Sequence, residues 1–231
     1  MFSTVQTAFL SKLQEVVDFG SPVQTRQKTT KELLAQTIHI QQPSKRVILT
    51  PYRNNNVFAT IAESIWVIAG RNDLGFLSRY LPRALEFSDD GLVWRGGYGP
   101  RLRKWYGLDQ VSHAVKVLRS ETPSRRAIMN IFDPLCDFQD GKDIPCNNWL
   151  HPLIRDGKLH LSVVARSNDI LWGFSGINAF EWSLLQEMFA FWTSTQVGTL
   201  TFFIDSLHLY EQHYSRAQRT VSYTHLTLPT I

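Results

Sequence analysis

A cysteine between a proline and two asparagines has the clearest chemical potential in this chain. Residues 143–149 read DIPCNNW, and Cys146 is one of only 2 cysteines. Taken alone, such a cysteine is most simply a small buried hydrophobic residue. A proline that fixes one backbone angle and two neighbouring amides suit a different role, that of a nucleophile whose thiolate is favoured by nearby cations.

Two pairs of residues could supply that positive charge. Arg125 and Arg126 follow a serine in the segment SRRA, and Arg166 with Ser167 ends an alternating segment. Twin arginines are usually solvated surface residues. An arginine fork beside a hydroxyl group is a good cradle for a phosphate monoester. The second pair therefore indicates a small phosphorylated ligand.

Two further residues are candidates for moving protons. Glu63 lies inside the apolar segment 57–70. It is either a helix-surface residue or a carboxyl group that is paired, or that carries protons with a raised pKa. The segment RGGYGPR (95–101) contains glycines like those of a phosphate loop but lacks the strand-to-helix context. We interpret it as a turn that presents Tyr98.

His208 and Tyr210 are two residues apart, so on an extended strand they face the same side. That arrangement suits hydrogen bonds to one sugar hydroxyl. No Cys/His spacing supports a metal site, so no metal is expected. A Cys–His hydrolase built from Cys146 and His208 remains open, although no oxyanion motif is recognisable.

Length and composition indicate one large cytoplasmic domain. The chain has 231 residues, 43% of them hydrophobic and 19% charged, and 24 basic residues against 20 acidic ones give a net charge of +4. This excess is too small and too clustered to predict binding to nucleic acid. No signal peptide or membrane span is recognisable, so no membrane partner is expected. The cysteines form no disulfide framework, which is typical of reduced thiols.

Apolar spacing predicts an α+β fold in which helices pack on a sheet. The first helix has its apolar residues at Phe2, Val5, Phe9, Leu13 and Val16, with Ser3 and Gln6 as a capping box. The other predicted helices are 57–70, ending at a glycine cap, 73–87, broken near Pro82, 109–120 and 178–192. The predicted strands are 126–132, 158–166 and 199–204.

The order and spacing of the candidate residues resemble the thymidylate synthase family, which includes pyrimidine hydroxymethylases. The resemblance runs from about residue 57 to about residue 214. The motifs that carry it are Glu63-x-x-Trp66, Tyr98-Gly99, Ser124-Arg125-Arg126, Pro145-Cys146, Arg166-Ser167-x-Asp169-x-x-x-Gly173, Asn178 and His208-x-Tyr210.

The resemblance implies a catalytic role for several of these residues. Cys146 would add to carbon-6 of a pyrimidine nucleotide. Glu63 would move protons through ordered water, with Tyr98 nearby. Asp169 would lie beside the folate and the base, and Asn178 would read the edge of the base.

The resemblance also implies how the nucleotide is held. Arg166 and Ser167 would bind the 5′-phosphate, and Arg125 and Arg126 would reach it from the partner subunit of a homodimer. Arg26 is a further phosphate ligand by rough position. His208 and Tyr210 would hold the ribose hydroxyl. The implied fold is thymidylate synthase-like, with helices on one face of a mixed sheet and the dimer interface on the other.

The implied reaction is one-carbon transfer from 5,10-methylenetetrahydrofolate to carbon-5 of a pyrimidine nucleotide. The leading interpretation is the conversion of dUMP to dTMP. Carbon-5 is a poor nucleophile until a thiolate adds at carbon-6 and creates an enolate. If water captures the exocyclic methylene, the product is hydroxymethyl instead, so a hydroxymethylase acting on dUMP, dCMP or CMP is the alternative. A non-catalytic nucleotide-binding relative is a third possibility.

The chain departs from the family pattern at three places. Asn147 stands where typical members have a histidine, and the interval from Gly173 to Asn178 is one residue longer than usual. Residues upstream of 57 match poorly, and the segment RNNN (53–56) has no assigned role.

The last stretch, VSYTHLTLPTI (221–231), carries no Asp, Glu, Lys or Arg. It resembles the translation of a transposon adapter used in sequencing libraries, and the alternative is an ordinary β-prone tail. We expect a catalytic domain at 1–220 that is incomplete at its C-terminus, and a foreign tail at 221–231 that packs poorly. Little or no turnover is expected of this 231-residue chain.

Overall fold

The computed structural model describes residues 1–25 and 28–227, with side chains described as far as residue 223. The α-helices are α1 (Val5–Phe19), α2 (Val57–Ile68), α3 (Leu74–Leu77), α4 (Tyr98–Arg103), α5 (Gln110–Ser120), α6 (Pro134–Asp137), α7 (Ala179–Trp192) and α8 (Tyr214–Thr227). The strands are β1 (Ser21–Thr25), β2 (Lys28–Ile40), β3 (Met129–Asn130), β4 (Asn147–Arg155), β5 (Lys158–Ala165), β6 (Asn168–Asp169) and β7 (Gln196–Tyr210).

These strands form one mixed sheet in the order β1-β2-β7-β5-β4-β3, and the short β6 pairs with β7. The pairs β5–β7 and β6–β7 are parallel, whereas β1–β2, β2–β7, β3–β4 and β4–β5 are antiparallel. The chain returns from β6 to β7 through a π-helix (Ile170–Asn178) and α7, which lie against the sheet. The predicted α+β architecture is confirmed.

The hydrophobic core lies between the sheet and the helices. Helix α1 buries one face that includes Phe9 and Leu13, and α7 buries Trp182 and Phe189. From the sheet, Phe202 packs edge-on against Phe174 of the π-helix with ring centroids 5.2 Å apart. In the described part of the chain, no helix is long and apolar enough to span a membrane.

The sequence-based elements need several corrections. The long β2 was missed because its segment KTTKELLAQTIHI lacks a clean alternation, and β4 was missed because Pro152 interrupts it. The predicted strand 126–132 is reduced to β3, and the predicted helix 73–87 to α3 and a 3-10 helix, Pro82–Phe87. The first helix is capped by Thr4 and Thr7 instead of Ser3 and Gln6.

The π-helix stands where the sequence has its longer interval, between Gly173 and Asn178. A π-helical turn holds one more residue than an α-helical turn, so it can absorb an inserted residue without displacing the helix that follows. Buried Arg53 braces this segment, because its guanidinium donates to Ser175 Oγ at 3.0 Å and to the Leu171 carbonyl at 2.5 Å. Burial lowers the pKa of Arg53 to about 10. The segment 53–56 thus has a structural role.

The C-terminal helix α8 continues through residue 227, and Val221 is 7% exposed against the core. Residues 228–231 lie outside the described residues. The domain boundary at residue 220, and the foreign origin of 221–231, stay predictions.

Replacing Gly99 by alanine should destabilise the fold. An added Cβ would lie 2.6 Å from the carbonyl oxygen and 2.8 Å from the nitrogen of Arg71, both backbone atoms that have little room to move. Overpacking of this kind typically costs about 2 kcal/mol. Chemical denaturation of Gly99→Ala should show this loss in the free energy of unfolding.

Gly75→Ala is the matched control, since an added Cβ there meets nothing within 4 Å. It lies in α3, so alanine should leave stability unchanged or raise it. Equal stability of the two variants would contradict the packing described for Gly99.

Candidate active site

Cys146 stands immediately before β4 and beside the end of β5. The backbone N–H of Arg166 donates to the Cys146 carbonyl at 3.0 Å and to Asn148 Oδ1 at 2.7 Å. This pairing joins two segments that lie twenty positions apart in the chain. Ser167 then donates from its Oγ to the Cys146 sulfur at 3.6 Å. The sheet therefore brings the predicted nucleophile to the predicted phosphate ligands.

The Arg166 guanidinium is held over the cysteine loop while remaining exposed to solvent. Its Nε donates to the Pro145 carbonyl at 3.0 Å, and a terminal nitrogen donates to the Ile144 carbonyl at 3.1 Å. The other terminal nitrogen lies 3.3 Å from Ser167 Oγ. A fixed cation next to a hydroxyl group suits an anionic ligand.

The glycine segment packs directly on the cysteine loop. A Cβ at Gly96 would lie 2.8 Å from the ring of Pro145, and the Gly96 N–H donates to Asp143 at 2.8 Å. This close approach places Tyr98 at the start of α4, where its hydroxyl accepts a hydrogen bond of 2.7 Å from Asn147. Asn147, which stands where typical family members have a histidine, thus holds Tyr98 in place.

Carboxyl groups withdrawn from water lie close to Tyr98. Burial, and then the nearby carboxyl group of Asp143, raise the pKa of Glu63 to about 7. Burial likewise raises the pKa of Asp143 to about 6. A group that titrates near neutral pH can both accept and release a proton, as Glu63 was expected to do. Asp143 was not singled out from the sequence.

Asp169, His208 and Tyr210 meet at the β6–β7 pair. His208 is the register partner of Asp169, and its ring lies 5.2 Å from the ring of Tyr210. Asp169 Oδ1 accepts from the backbone N–H groups of Leu171 and Trp172, at 2.7 and 3.1 Å. Burial raises the pKa of Asp169. Burial also raises the pKa of Tyr210, and the nearby Asp169 and Cys146 raise it further.

Asn178 ends the π-helix, is 3% exposed and donates from Nδ2 to Glu181 at 3.0 Å. Burial, and then the nearby Glu63, raise the pKa of Glu181 well above its usual range. Sequence analysis missed Glu181, which stands in a helix that otherwise looks apolar. The available signal was a carboxylate at a position whose neighbours predict burial.

The structure of a single chain does not bring every candidate residue together. Arg126 is exposed and donates to Glu121 at 2.7 Å, and the backbone of Arg125 interacts with the ring of His151. Neither contact involves a residue around Cys146. Arg26 lies outside the described residues. Within residues 1–25 and 28–223, no group of three or more His, Cys, Asp or Glu side chains could hold a metal ion.

The arrangement can support addition of a thiol to a planar ring. A sulfur nucleophile has a cation and a hydroxyl group beside it, and Tyr98 with its neighbouring carboxyl groups is close to it. His208 and Tyr210, whose rings are in contact, add further hydrogen-bonding groups. These are the groups that a phosphorylated sugar carrying a heterocyclic base would need.

Comparison with known proteins gives consistent relatives. The family model for thymidylate synthase matches residues 7–231. The chain is 37% identical to the deoxyuridylate hydroxymethyltransferase of Bacillus phage SP01, over 89% of this chain and 57% of that protein. It is 35% identical to the enzyme of the same name from Delftia phage PhiW-14, over 75% of this chain and 51% of that protein. A thymidylate synthase from Symbiobacterium thermophilum is 32% identical, over 64% of this chain and 57% of that protein. The chain thus spans about half the length of these relatives.

Asp143→Asn should lower the pKa of Glu63 from about 7 towards its usual range. Removing a nearby negative charge makes the ionised form of Glu63 less unfavourable, so the group ionises at lower pH. A pH titration of ¹³C-labelled glutamate carboxyl groups by NMR measures this pKa. The exposed Asp140 offers a control, because Asp140→Asn should leave the titration unchanged. A Glu63 titration that is identical in wild type and Asp143→Asn would contradict the described cluster.

Proposed function

The chain belongs to the thymidylate synthase family, and we propose that it transfers a one-carbon unit to carbon-5 of deoxyuridylate through a covalent bond to Cys146. The observation that carries the proposal is the contact of the Cys146 sulfur with Ser167, beside the exposed guanidinium of Arg166. A thiol nucleophile needs a reducing compartment, so the proposed location is the cytoplasm.

Cys146 would begin the reaction by adding its sulfur to carbon-6 of the uracil ring. The electron pair of the carbon-5–carbon-6 double bond moves towards the carbonyl oxygen, which makes carbon-5 nucleophilic. Glu63, with its pKa of about 7, is suited to exchange protons with the ring through water near neutral pH. Once carbon-5 carries the one-carbon unit, loss of the carbon-5 proton and departure of the carrier nitrogen would leave an exocyclic methylene. Addition of water, or of a hydride, to this carbon as the bond between carbon-6 and the Cys146 sulfur breaks would restore the ring double bond.

The nucleotide would be held at three points. Arg166 and Ser167 would bind the phosphate, and His208 and Tyr210 the ribose hydroxyl. The amide of Asn178 can both donate and accept, which matches the carbonyl and the N–H on the edge of uracil. Each of these roles follows the family motif and agrees with the burial and orientation described above.

The chemistry of the donor set also fits 5,10-methylenetetrahydrofolate. Asp169 Oδ2 is buried and has no hydrogen-bond partner among the described residues, so it can accept an N–H from a heterocycle. Trp172, which lies in the first turn of the π-helix after Asp169, is 43% exposed and offers an aromatic surface. The folate would supply the one-carbon unit that carbon-5 attacks and, for methylation, a hydride.

Hydroxymethylation is the favoured outcome. Asn147 Oδ1 and Glu181 Oε2 are buried near Tyr98 without a partner in the described part of the chain. Buried oxygens of this kind commonly bind ordered water, which is the reactant that converts an exocyclic methylene into a hydroxymethyl group. The phage relatives named hydroxymethyltransferases support the same outcome. Methylation to dTMP is the second candidate, supported by the 32% identical thymidylate synthase.

A homodimer through the open face of the sheet is part of the proposal. Alternation along the strands turns Trp149 and His151 of β4 away from the helices, and Phe203 of β7 is 42% exposed there. Because the Arg125 backbone contacts His151, the arginine pair lies at the edge of this face. From that edge, Arg125 and Arg126 could reach the phosphate of a partner subunit.

The test is identification of the product by mass spectrometry. The longest protein that the gene encodes is incubated with methylenetetrahydrofolate and either dUMP or dCMP. We expect 5-hydroxymethyl-dUMP from dUMP, its complete loss in Cys146→Ser, and normal turnover in the control Cys136→Ser. A dTMP product would select the second candidate. Normal turnover by Cys146→Ser would contradict the covalent mechanism.

Shared active sites should be detectable by complementation. An Arg126→Glu chain and a Cys146→Ala chain should each be inactive alone. In a mixed dimer, one site combines an intact Cys146 with an intact Arg126 from the partner, so part of the activity should return. Each variant mixed with itself is the control. Mixed dimers that are verified by mass spectrometry yet inactive would mean that the arginines do not act across the interface.

A further inference from the structure

Glu181 is a buried acid whose only part in the proposed mechanism is that its Oε2 can bind ordered water. It stands in the first turn of α7 and is 1% exposed. Its Oε1 accepts a hydrogen bond of 3.0 Å from Asn178 Nδ2, and its Oε2 has no partner among the described residues. Neighbouring positions Trp182 and Leu185 are buried apolar residues.

The surroundings of Glu181 do not compensate for its burial. The groups that act on it from the packed elements are Glu63 of α2, Tyr98 of α4 and Asn178 of the π-helix. None of these is a cation, so within the part of the chain that the structure describes the acid lacks the ion pair that usually accompanies a buried carboxyl group. Burial and Glu63 raise its pKa well above the usual range, which keeps it uncharged near neutral pH. Packing alone would be better served by an apolar residue.

We infer that Glu181 is a positioning residue that holds the Asn178 amide in place to contact the pyrimidine ring. This inference rests on the proposed function, in which Asn178 reads the base. An asparagine side chain has two rotatable bonds, so its amide can point in several directions. In a buried site, an orientation that leaves the amide without hydrogen-bond partners is unfavourable. With one N–H of Asn178 bonded to Glu181, the second N–H and Oδ1 remain available to the carbonyl and the N–H of uracil.

The Asn178 side chain lies in a tightly packed region. Gly173 has no room for a side chain, because an added Cβ would collide with Asn168 Oδ1 and would lie 3.5 Å from Asn178 Oδ1. Both amide atoms of Asn168 are buried without a partner among the described residues. Among the described residues, the structure gives the Asn178 side chain a hydrogen bond with Glu181 alone. A substitution at Glu181 should therefore weaken binding of the base and leave the contacts to the phosphate and the sugar intact.

The experiment compares two ligands that differ by the base alone. The dissociation constants of dUMP and of 2′-deoxyribose 5-phosphate are measured by calorimetry on the 231-residue chain. Glu181→Leu should weaken dUMP binding about tenfold, the effect of leaving one buried donor unpaired. Binding of deoxyribose phosphate should not change. Glu181→Gln keeps a carbonyl acceptor and the neutral charge, so it should restore most of the affinity for dUMP.

Glu187→Leu is the matched control, since Glu187 lies on the same helix and pairs with Arg46 at 2.6 Å. It should leave the affinity for dUMP unchanged. Two results would overturn the inference: unaltered dUMP binding by Glu181→Leu, or an equal loss for both ligands, which would indicate a purely structural role. If wild type binds dUMP no better than deoxyribose phosphate, base recognition itself fails, and the proposed function fails with it.

Discussion

The register in which β5 lies between β4 and β7 determines where the reactive groups stand. Its antiparallel pairing with β4 sets the end of β5 against Cys146, and the Arg166 N–H bonded to the Cys146 carbonyl fixes this contact at 3.0 Å. Its parallel pairing with β7 continues through β6, where Asp169 is matched with His208. A slip of one residue would turn Ser167 away from the sulfur. One backbone register thus assembles both the nucleophile and the ligands proposed for the nucleotide.

Burial then gives this assembly its acid–base character. Burial is the largest cause that raises the pKa of Glu63, Asp143 and Glu181. Arg95 and Arg101 offset only part of this effect at Asp143. Such acids cost stability, because a carboxyl group out of water loses its hydration. Groups of this kind cluster at functional sites more often than elsewhere. Together with Tyr98 and Asn147, the three carboxyl groups form a polar cluster within an otherwise apolar region.

Sequence reasoning predicted the fold class correctly but missed several strands, and the site residues that it named stay predictions. Cys146, Arg166 and Glu63 stood out as candidates because their residue types and spacing carry chemistry that is independent of exact strand boundaries. The strand β2 was invisible because half-exposed strands with mixed composition look like loops. Glu181 was hidden in a helix whose apolar pattern predicts only packing. The relation of Arg126 to Cys146 rests on the family resemblance alone, because in the proposed dimer these residues belong to two different chains.

The central claim is that Cys146 lies in the pocket that binds a pyrimidine nucleotide. Alkylation by iodoacetamide, followed by peptide mass spectrometry, measures the reactivity of this thiol in the 231-residue chain. Cys136, also partly exposed, serves as an internal reference in the same sample. The account predicts that saturating dUMP protects Cys146 and leaves the alkylation of Cys136 unchanged. Alkylation of Cys146 that dUMP does not slow, or slows equally for both cysteines, would contradict it.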